Sequence, residues 1–382
     1  MKIVFIGGRD IHILGGIESY MLNLATQLVK MEHEPIVFCE SDHNGEEFVN
    51  GFRVIHQKGF NSNLICKPWL GLKATLKTIR HIHDADIIHY NAWPPSLWSP
   101  IARLCGIKSL MQGHGLEWQR SKYSPTQQRI MKFMEWLTAH LNRNLIMCSE
   151  DQCRYFKKHY NREATAIPTA IYLPDNNSGD TDILSRFNLS PKGYFLFLAR
   201  LVQDKNPDYL IEGFKKATRS GKKLVIAGNN PADATYVEKL HNMAKGYPDV
   251  IFTDAVYGAD KETLLRNAFA FCIPSTIEGL SISLLEAMSY KLPVIASDIA
   301  ANREVLTDEA ALWVRPEKIE DITDVINRAL SDTIAFQATA ENNYNLVAST
   351  YTWPRVAEKY ITYLKSITTV SYTHLRAHET KA

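Results

Sequence analysis

Short apolar runs alternate with amphipathic helical stretches almost from end to end, and this alternation limits the fold more than any other feature. Strands that recur with a helix between each pair cannot join as hairpins. They lie parallel, with the helices packed over the sheet. In the first half the strand-like runs are Lys2–Ile6, Glu34–Phe38, Asp86–Tyr90, Ser109–Gln112 and Asn144–Cys148. Glu18–Met31 reads as a helix because Tyr20, Leu24 and Leu28 recur every four residues. The series restarts at Tyr194–Ala199 and continues through Lys223–Ala227, Val250–Phe252, Ala270–Ile273 and Pro293–Ala296. Between the halves, Pro168 to Lys192 is rich in Pro, Asn, Ser, Asp and Gly and reads as a connection. The expected class is α/β, with two Rossmann-like, doubly wound parallel-sheet domains facing a central cleft. Their expected limits are 1–170 and 193–350, with a linker over 171–192 and a terminal helix over 351–369.

Composition narrows the function. A chain of 382 residues with 45% apolar residues is long enough for two cores. Forty-three Lys and Arg against 41 Asp and Glu leave a formal charge of +2, so no nucleic-acid partner is expected. The six cysteines form no CxxC pair and fit reduced thiols in a cytoplasmic protein. The apolar start Ile3–Ile6 is too short for a signal peptide, and no run reaches the ~20 residues of a membrane span. Val370–Ala382 has neither helical nor strand period. It reads as an in-frame translation of a transposase-type sequencing adapter, so a non-native tail is expected after about Thr369.

In doubly wound sheets, ligands bind beyond the carboxyl ends of the strands. Glu278-Gly279 follows the strand ending at Pro274, and Glu286 lies in the first turns of the next helix. Gly279 allows close backbone approach, and the free N–H groups from about Leu280 onward form an anion site. Glu286 has a second explanation, a capping box with Ser283, and its spacing fits both. Arg200 ends the first strand of the second half and Lys205 follows in its loop, two cations placed to neutralise a diphosphate. In the first half, Gly15-Gly16 precedes a helix as a possible anion site, but it is not the G-x-G-x-x-G dinucleotide fingerprint. His114 stands between Gly113 and Gly115 after another strand and so faces the expected cleft. Asp84-Ala-Asp86 has metal–diphosphate spacing but precedes its strand, at the wrong end of the sheet. His81 and His83 are two apart on a helix and point different ways. No protein-bound catalytic metal and no cofactor are expected.

Together these residues resemble retaining family-4 glycosyltransferases of the GT-B fold. Glu278 and Glu286 in Pro-Ser-x-x-Glu-Gly-Leu-x-x-Ser-Leu-Leu-Glu-Ala match that family's E-x7-E signature. Arg200-Leu, Lys205, Ala227-Gly228, Ser297-Asp298-Ile299, Asn302-Arg303-Glu304 and the Gly15-Gly16-Ile-Glu18 loop follow in its order, over about residues 1 to 367. His114-Gly-Leu-Glu-Trp118 is similar to a bacterial polysaccharide and rhamnosyl-type subgroup. The resemblance implies a nucleotide-sugar donor and a glycan or lipid-linked acceptor in cell-surface polysaccharide synthesis. Glu278 would bind donor-sugar hydroxyls and steady the oxocarbenium charge, and Glu286 would hold the ribose. Arg200 and Lys205, with Gly279 and Leu280, would hold the diphosphate. Gly15 and Gly16 would approach the phosphate or acceptor, and His114 the transferred sugar. It further implies front-face attack without a metal, and a final helix that crosses back to the first domain. A sugar-nucleotide epimerase or sugar phosphorylase on the same architecture is the alternative. After Ile167-Pro168 the family has Asn-Gly, whereas Thr169-Ala170 stands here. Basic and aromatic residues over 67–77 and 120–143 suggest peripheral contact with the anionic inner face of the cell membrane.

Overall fold

The computed structural model describes residues 1–379 apart from 14, 61, 63, 64, 120–122, 176–178, 219 and 220, with 117 and 369–379 described by backbone alone. The described chain forms two compact units. Residues 1–119, 123–170 and those from 353 onward make the first, and 171–352 make the second.

The first unit is built on eight strands: β1 (Lys2–Ile6), β2 (Glu34–Ser41), β3 (Gly45–Val49), β4 (Phe52–Lys58), β5 (Ile87–Asn91), β6 (Lys108–Gly113), β7 (Asn144–Met147) and β8 (Thr165–Ala166). Their order is β3-β4-β2-β1-β5-β6-β7-β8, all parallel except β3, which runs antiparallel to β4. The second unit is an all-parallel sheet of β9 (Tyr194–Leu198), β10 (Lys223–Ala227), β11 (Val250–Asp254), β12 (Ala270–Ile273), β13 (Val294–Ser297) and β14 (Ala311–Val314). Its order is β11-β10-β9-β12-β13-β14. Both sheets are covered on both faces, and the period of two shows how. Ile3 and Phe5 of β1 pack with Tyr20, Leu24 and Trp353, whereas Val4 and Ile6 pack with Phe38, Ala74 and Ile88. In β9, Tyr194 and Leu196 join one cluster and Phe195 and Phe197 the other.

Helix Gly16–Lys30 buries Tyr20, Leu24 and Leu28 as their spacing predicts. Helix Trp353–Glu379 returns the chain to the first unit. Its Trp353, Val356, Ala357, Tyr360, Ile361 and Leu364 recur every three or four residues and are all buried there. Burying a side chain the size of Trp353 is worth roughly 2–3 kcal/mol or more. The structure adds three features that the sequence reading did not give. The segment 171–192 carries a helix, Ile183–Arg186, and Ile183 is buried in the second unit's core. The stretch after Thr369 lacks an apolar period, yet its backbone stays helical to Glu379, and 380–382 lie outside the described residues. A β3–β4 hairpin interrupts the strand–helix series, turning at Asn50-Gly51 with φ of 49° and 88°. Thr169 and Ala170, in place of Asn-Gly, are buried and have no positive φ, so the chain passes this point without the turn a glycine would permit.

Candidate active site

Each sheet has one place where the winding reverses, and both candidate regions lie there. In the second unit β9 and β12 are neighbours, with β10 outside one and β13 outside the other. The loop after β9 carries Arg200 and Lys205, and the loop after β12 carries Glu278. Lys205 Nζ donates to Glu278 Oε1 at 2.5 Å, and Ser275 Oγ donates to the same oxygen at 2.7 Å. The Glu278 side chain is only 6% exposed, so its charge is held by one cation and one hydroxyl with little help from water.

This arrangement is braced from below. Asn206, in a left-handed conformation (φ 53°), donates from Nδ2 to the Pro274 carbonyl and to Thr276 Oγ1, both at 2.8 Å. The Thr276 N–H donates to the Asp204 carbonyl at 2.9 Å, so the two loops are stitched together. Behind them Asn302 Nδ2 donates to Ser297 Oγ at 3.1 Å, and Ser297 Oγ donates to the Ser275 carbonyl at 2.5 Å. Ser275, Ser297 and Asn302 are all buried, and a buried network with its partners supplied is rigid. Gly228, after β10, approaches so closely that a Cβ there would sit 1.9 Å from the Ala199 carbonyl.

Glu286 is not part of a capping box. Helix Ile282–Ser289 is capped by Ser281, whose Oγ accepts from the Leu284 N–H at 3.3 Å, and Ser283 lies inside the helix. Glu286 Oε1 instead accepts from Lys261 Nζ at 2.6 Å. Gly279 and Leu280 lead into that cap, half-buried. Arg200 is exposed in the loop after β9.

In the first unit the reversal falls between β1 and β5. A cleft opens there, lined among others by Gly7, Gly8, Glu40, Gln57, Lys67 and Asn91. Gly7 (φ 123°) lies against β5, and a Cβ on it would come within 2.7 Å of the Asn91 carbonyl. Ala92 is held at φ 73°, a strained conformation for alanine. His114 sits at the end of β6 with Nε2 3.2 Å from Asn91 Oδ1 and Nδ1 3.7 Å from Cys148 Sγ. Burial pushes its imidazole down to about 4, so near neutral pH it is an uncharged hydrogen-bonding group. Beneath it His89 bonds the Tyr360 hydroxyl through Nδ1 at 2.8 Å, and burial, aided by nearby His114, holds it well below the usual histidine range. Among the described residues, four buried polar atoms of this neighbourhood lack a partner at hydrogen-bond geometry: Tyr20 OH, His89 Nε2, Asn91 Nδ2 and Gln112 Oε1.

Gly16 stands in open space at the start of helix Gly16–Lys30, and Gly15 is its extended N-cap. The expected anion site there is partly taken. The buried Glu18 carboxylate folds back beside Gly15 and accepts from the Arg9 N–H at 2.8 Å. Burial alone would raise that carboxyl, but N–H groups of Arg9 and of Glu18 itself outweigh burial and hold it below the usual range. Asp84 and Asp86, at the opposite end of the sheet, bond Lys2.

The profile of the glycosyl transferases group 1 matches residues 182–346, and that of glycosyltransferase family 4 matches residues 14–173. Between them they cover Gly15, Gly16, His114, Arg200, Lys205, Glu278 and Glu286. The chain belongs to the GT-B glycosyltransferases. It is 26% identical over 372 residues to the uncharacterized glycosyltransferase MJ1607 of Methanocaldococcus jannaschii, covering 92% of this chain and 95% of that one. In fold it is similar to sucrose-phosphate synthase from Thermosynechococcus elongatus, with a TM-score of 0.79 at 17% identity over 97% and 99% of the two chains. Anabaena Alr3699/HepE in complex with UDP-glucose superposes with a TM-score of 0.76 at 16% identity, over 96% and 100%.

In this glycosyltransferase, Lys205 and Glu278 are brought into direct contact. His114 lies in the other unit, near the cleft that also contains Asn91. Sequence reading missed the bracing role of Asn206, Ser275, Ser297 and Asn302, and the Lys261 partner of Glu286. Asn206 had only a partial signal: Asn tolerates the left-handed conformation and Pro207 marks a helix start, but a residue before proline ordinarily favours extended backbone.

Proposed function

We propose that this glycosyltransferase moves a sugar from a nucleotide-sugar donor to a glycan or lipid-linked acceptor with retention of configuration, in cell-surface polysaccharide synthesis. The observation that carries the reading is the Lys205–Glu278 pair at the reversal point, braced by buried Asn and Ser side chains. An arriving diphosphate draws Lys205 and Arg200 to its oxygens. Glu278, still held by Ser275, is then left facing the sugar, where its charge opposes the positive charge developing at the anomeric carbon. Glu286 receives the ribose hydroxyls. The bond from the anomeric carbon to the diphosphate oxygen breaks, the acceptor oxygen bonds to the same face, and the acceptor proton passes to the departing oxygen. His114, being neutral, orients a sugar hydroxyl rather than shuttling a proton.

Two lysine and arginine cations do the work a bound metal would do at the diphosphate, so transfer needs no metal and no cofactor. The acceptor enters the first-unit cleft beside Gly7 and Asn91, with Gly15 and Gly16 at its rim. Among the described residues no helix is long and apolar enough to cross a membrane. Helix Pro125–Leu141 instead exposes Ile130, Phe133 and Trp136 beside Arg129 and Lys132, a face suited to resting on an anionic membrane from the cytoplasmic side.

The test is calorimetric titration with a panel of nucleotide sugars, followed by transfer of the one that binds and NMR assignment of the product's anomeric configuration. Binding of one nucleotide class and a retained linkage are expected. Conversion of the donor without an acceptor would mean an epimerase, and an inverted linkage would overturn the front-face route.

A further inference from the structure

Far from Glu278 in the sequence, three elements of the first unit bring side chains together that the transfer reaction does not use. His12 comes from the loop after β1, Glu47 from β3 and His56 from β4. His12 Nε2 and His56 Nε2 each lie 2.7 Å from Glu47 Oε1, and all three candidate donor atoms lie within 4.8 Å of one another. His56 is buried, while His12 is exposed and Glu47 half-exposed, so the group is anchored on one side and open to water on the other.

We propose that His12, Glu47 and His56 form a binding site for a zinc-class divalent cation that ties the loop carrying Gly15 and Gly16 to the β3–β4 hairpin. Two imidazoles and one carboxylate with a position left to solvent are the donor set zinc accepts. A tetrahedral ion with bonds of about 2.1 Å keeps its donor atoms about 3.4 Å apart. Opening each 2.7 Å contact to that separation takes a shift of less than about 1 Å.

The other nitrogen of His56 faces Cys39 and Asp10. Cys39 Sγ lies 3.5 Å from His56 Nδ1, and Asp10 Oδ2 stands 3.7 Å away, a short approach from hydrogen-bond distance. That carboxylate is itself fixed, by the Ser41 hydroxyl at 2.9 Å and by the His12 N–H at 3.0 Å. A carboxylate behind a metal-bound histidine sets its tautomer and orientation. With the ion absent, both Nε2 atoms lie within hydrogen-bond distance of Glu47. With the ion bound, the His56 proton moves to Nδ1 and faces Asp10, so the lone pair on Nε2 is free for the metal. The ion touches none of the residues assigned to the donor, so it is a structural clasp and leaves the metal-free chemistry at Arg200 and Lys205 unchanged.

The test uses the full chain, stripped with EDTA and dialysed. Zinc binding is read by competition with a chromophoric chelator, the thermal midpoint by calorimetry, and coordination by the visible spectrum of cobalt(II). One equivalent of zinc, a raised Tm and a tetrahedral cobalt spectrum are expected. His12→Gln and Glu47→Gln should each weaken binding at least tenfold, while His83→Gln, an exposed histidine elsewhere, leaves it unchanged. Both ligand variants are at accessible positions, so a folding failure of one leaves the other to decide. Equal zinc affinity in wild type, His12→Gln and Glu47→Gln, or no bound equivalent at all, would overturn the proposal and leave a hydrogen-bonded bracket. None of the three readouts involves sugar transfer, so the result stands apart from the proposed function.

Discussion

In the second unit the groups at the reversal point are charged and already paired, Lys205 with Glu278 and Lys261 with Glu286. In the first unit the groups around His114 are neutral, with His114 and Asn91 bonded to each other and, among the described residues, four buried polar atoms left without a partner nearby, while the charged Glu40 and Lys67 line the cleft further out. The topology at both points is the same, so the difference is one of chemistry. Fixed charges suit a ligand that brings charge, a diphosphate, and gains more as it leaves. Neutral donors and acceptors with spare capacity suit hydroxyls, which can complete the missing hydrogen bonds without forcing a charge to change partners.

The sharpest way to break this comparison is to remove one group from each side. Lys205→Ala should lower kcat/KM by roughly 10²–10³-fold, because it removes charge from the leaving diphosphate and leaves Glu278 buried without its cation. His114→Ala should cost only about tenfold, the scale of one neutral hydrogen bond. Steady-state kinetics on the two variants checks this, and equal losses would erase the contrast.

A smaller effect separates the units by pH. Residues 171–352 contain one histidine, His241, whereas the first unit holds the buried His89 and the half-buried His114 in neutral form. Their folded pKa values lie below the unfolded value of about 6.5. As pH falls from there towards 4, the unfolded chain takes up protons first, so the stabilisation present above about 6.5 is lost. For His114 alone this amounts to roughly 2–4 kcal/mol. Hydrogen exchange, corrected for intrinsic rates, should show β5 and β6 losing protection at pH 5 while β9 and β12 keep theirs. Equal loss in both sheets would contradict it.

The smallest expected effect concerns the surfaces. Ile130, Phe133 and Trp136 of the first unit are exposed on one helix. Phe133→Ser with Trp136→Ser should reduce partition onto anionic vesicles at low salt by about tenfold, leaving the solution rate unchanged. Equal partition of wild type onto neutral and anionic vesicles would remove the membrane from the account.

Much of this was legible in the sequence, for a physical reason. Buried parallel strands are nearly continuous apolar runs, so β1, β10 and β12 could be read to the residue. The β3–β4 hairpin escaped because Gly45-Glu-Glu-Phe-Val is largely polar, although Asn50-Gly51 was a strong turn signal. Charges at strand ends were equally visible, but their partners were not. Lys205 and Glu278 are 73 residues apart, and only the stitching of their loops by Asn206 brings them together. Which serine capped the helix was also undetermined, since Ser281 and Ser283 differ only in where the backbone leaves its extended conformation. The His12–Glu47–His56 group depends on the hairpin and so shared its invisibility.

In the proposed reaction Glu278 acts on charge that appears only during transfer, whereas Glu286 acts on a donor that is simply bound. Measuring donor Kd and kcat together on Glu278→Gln and Glu286→Gln tests it most directly. The expected result is a split. Glu278→Gln should lose kcat by about 10²-fold or more with donor affinity little changed, and Glu286→Gln should weaken donor binding with kcat largely kept. If Glu278→Gln keeps the wild-type kcat, the assignment of Glu278 to the transition state is wrong.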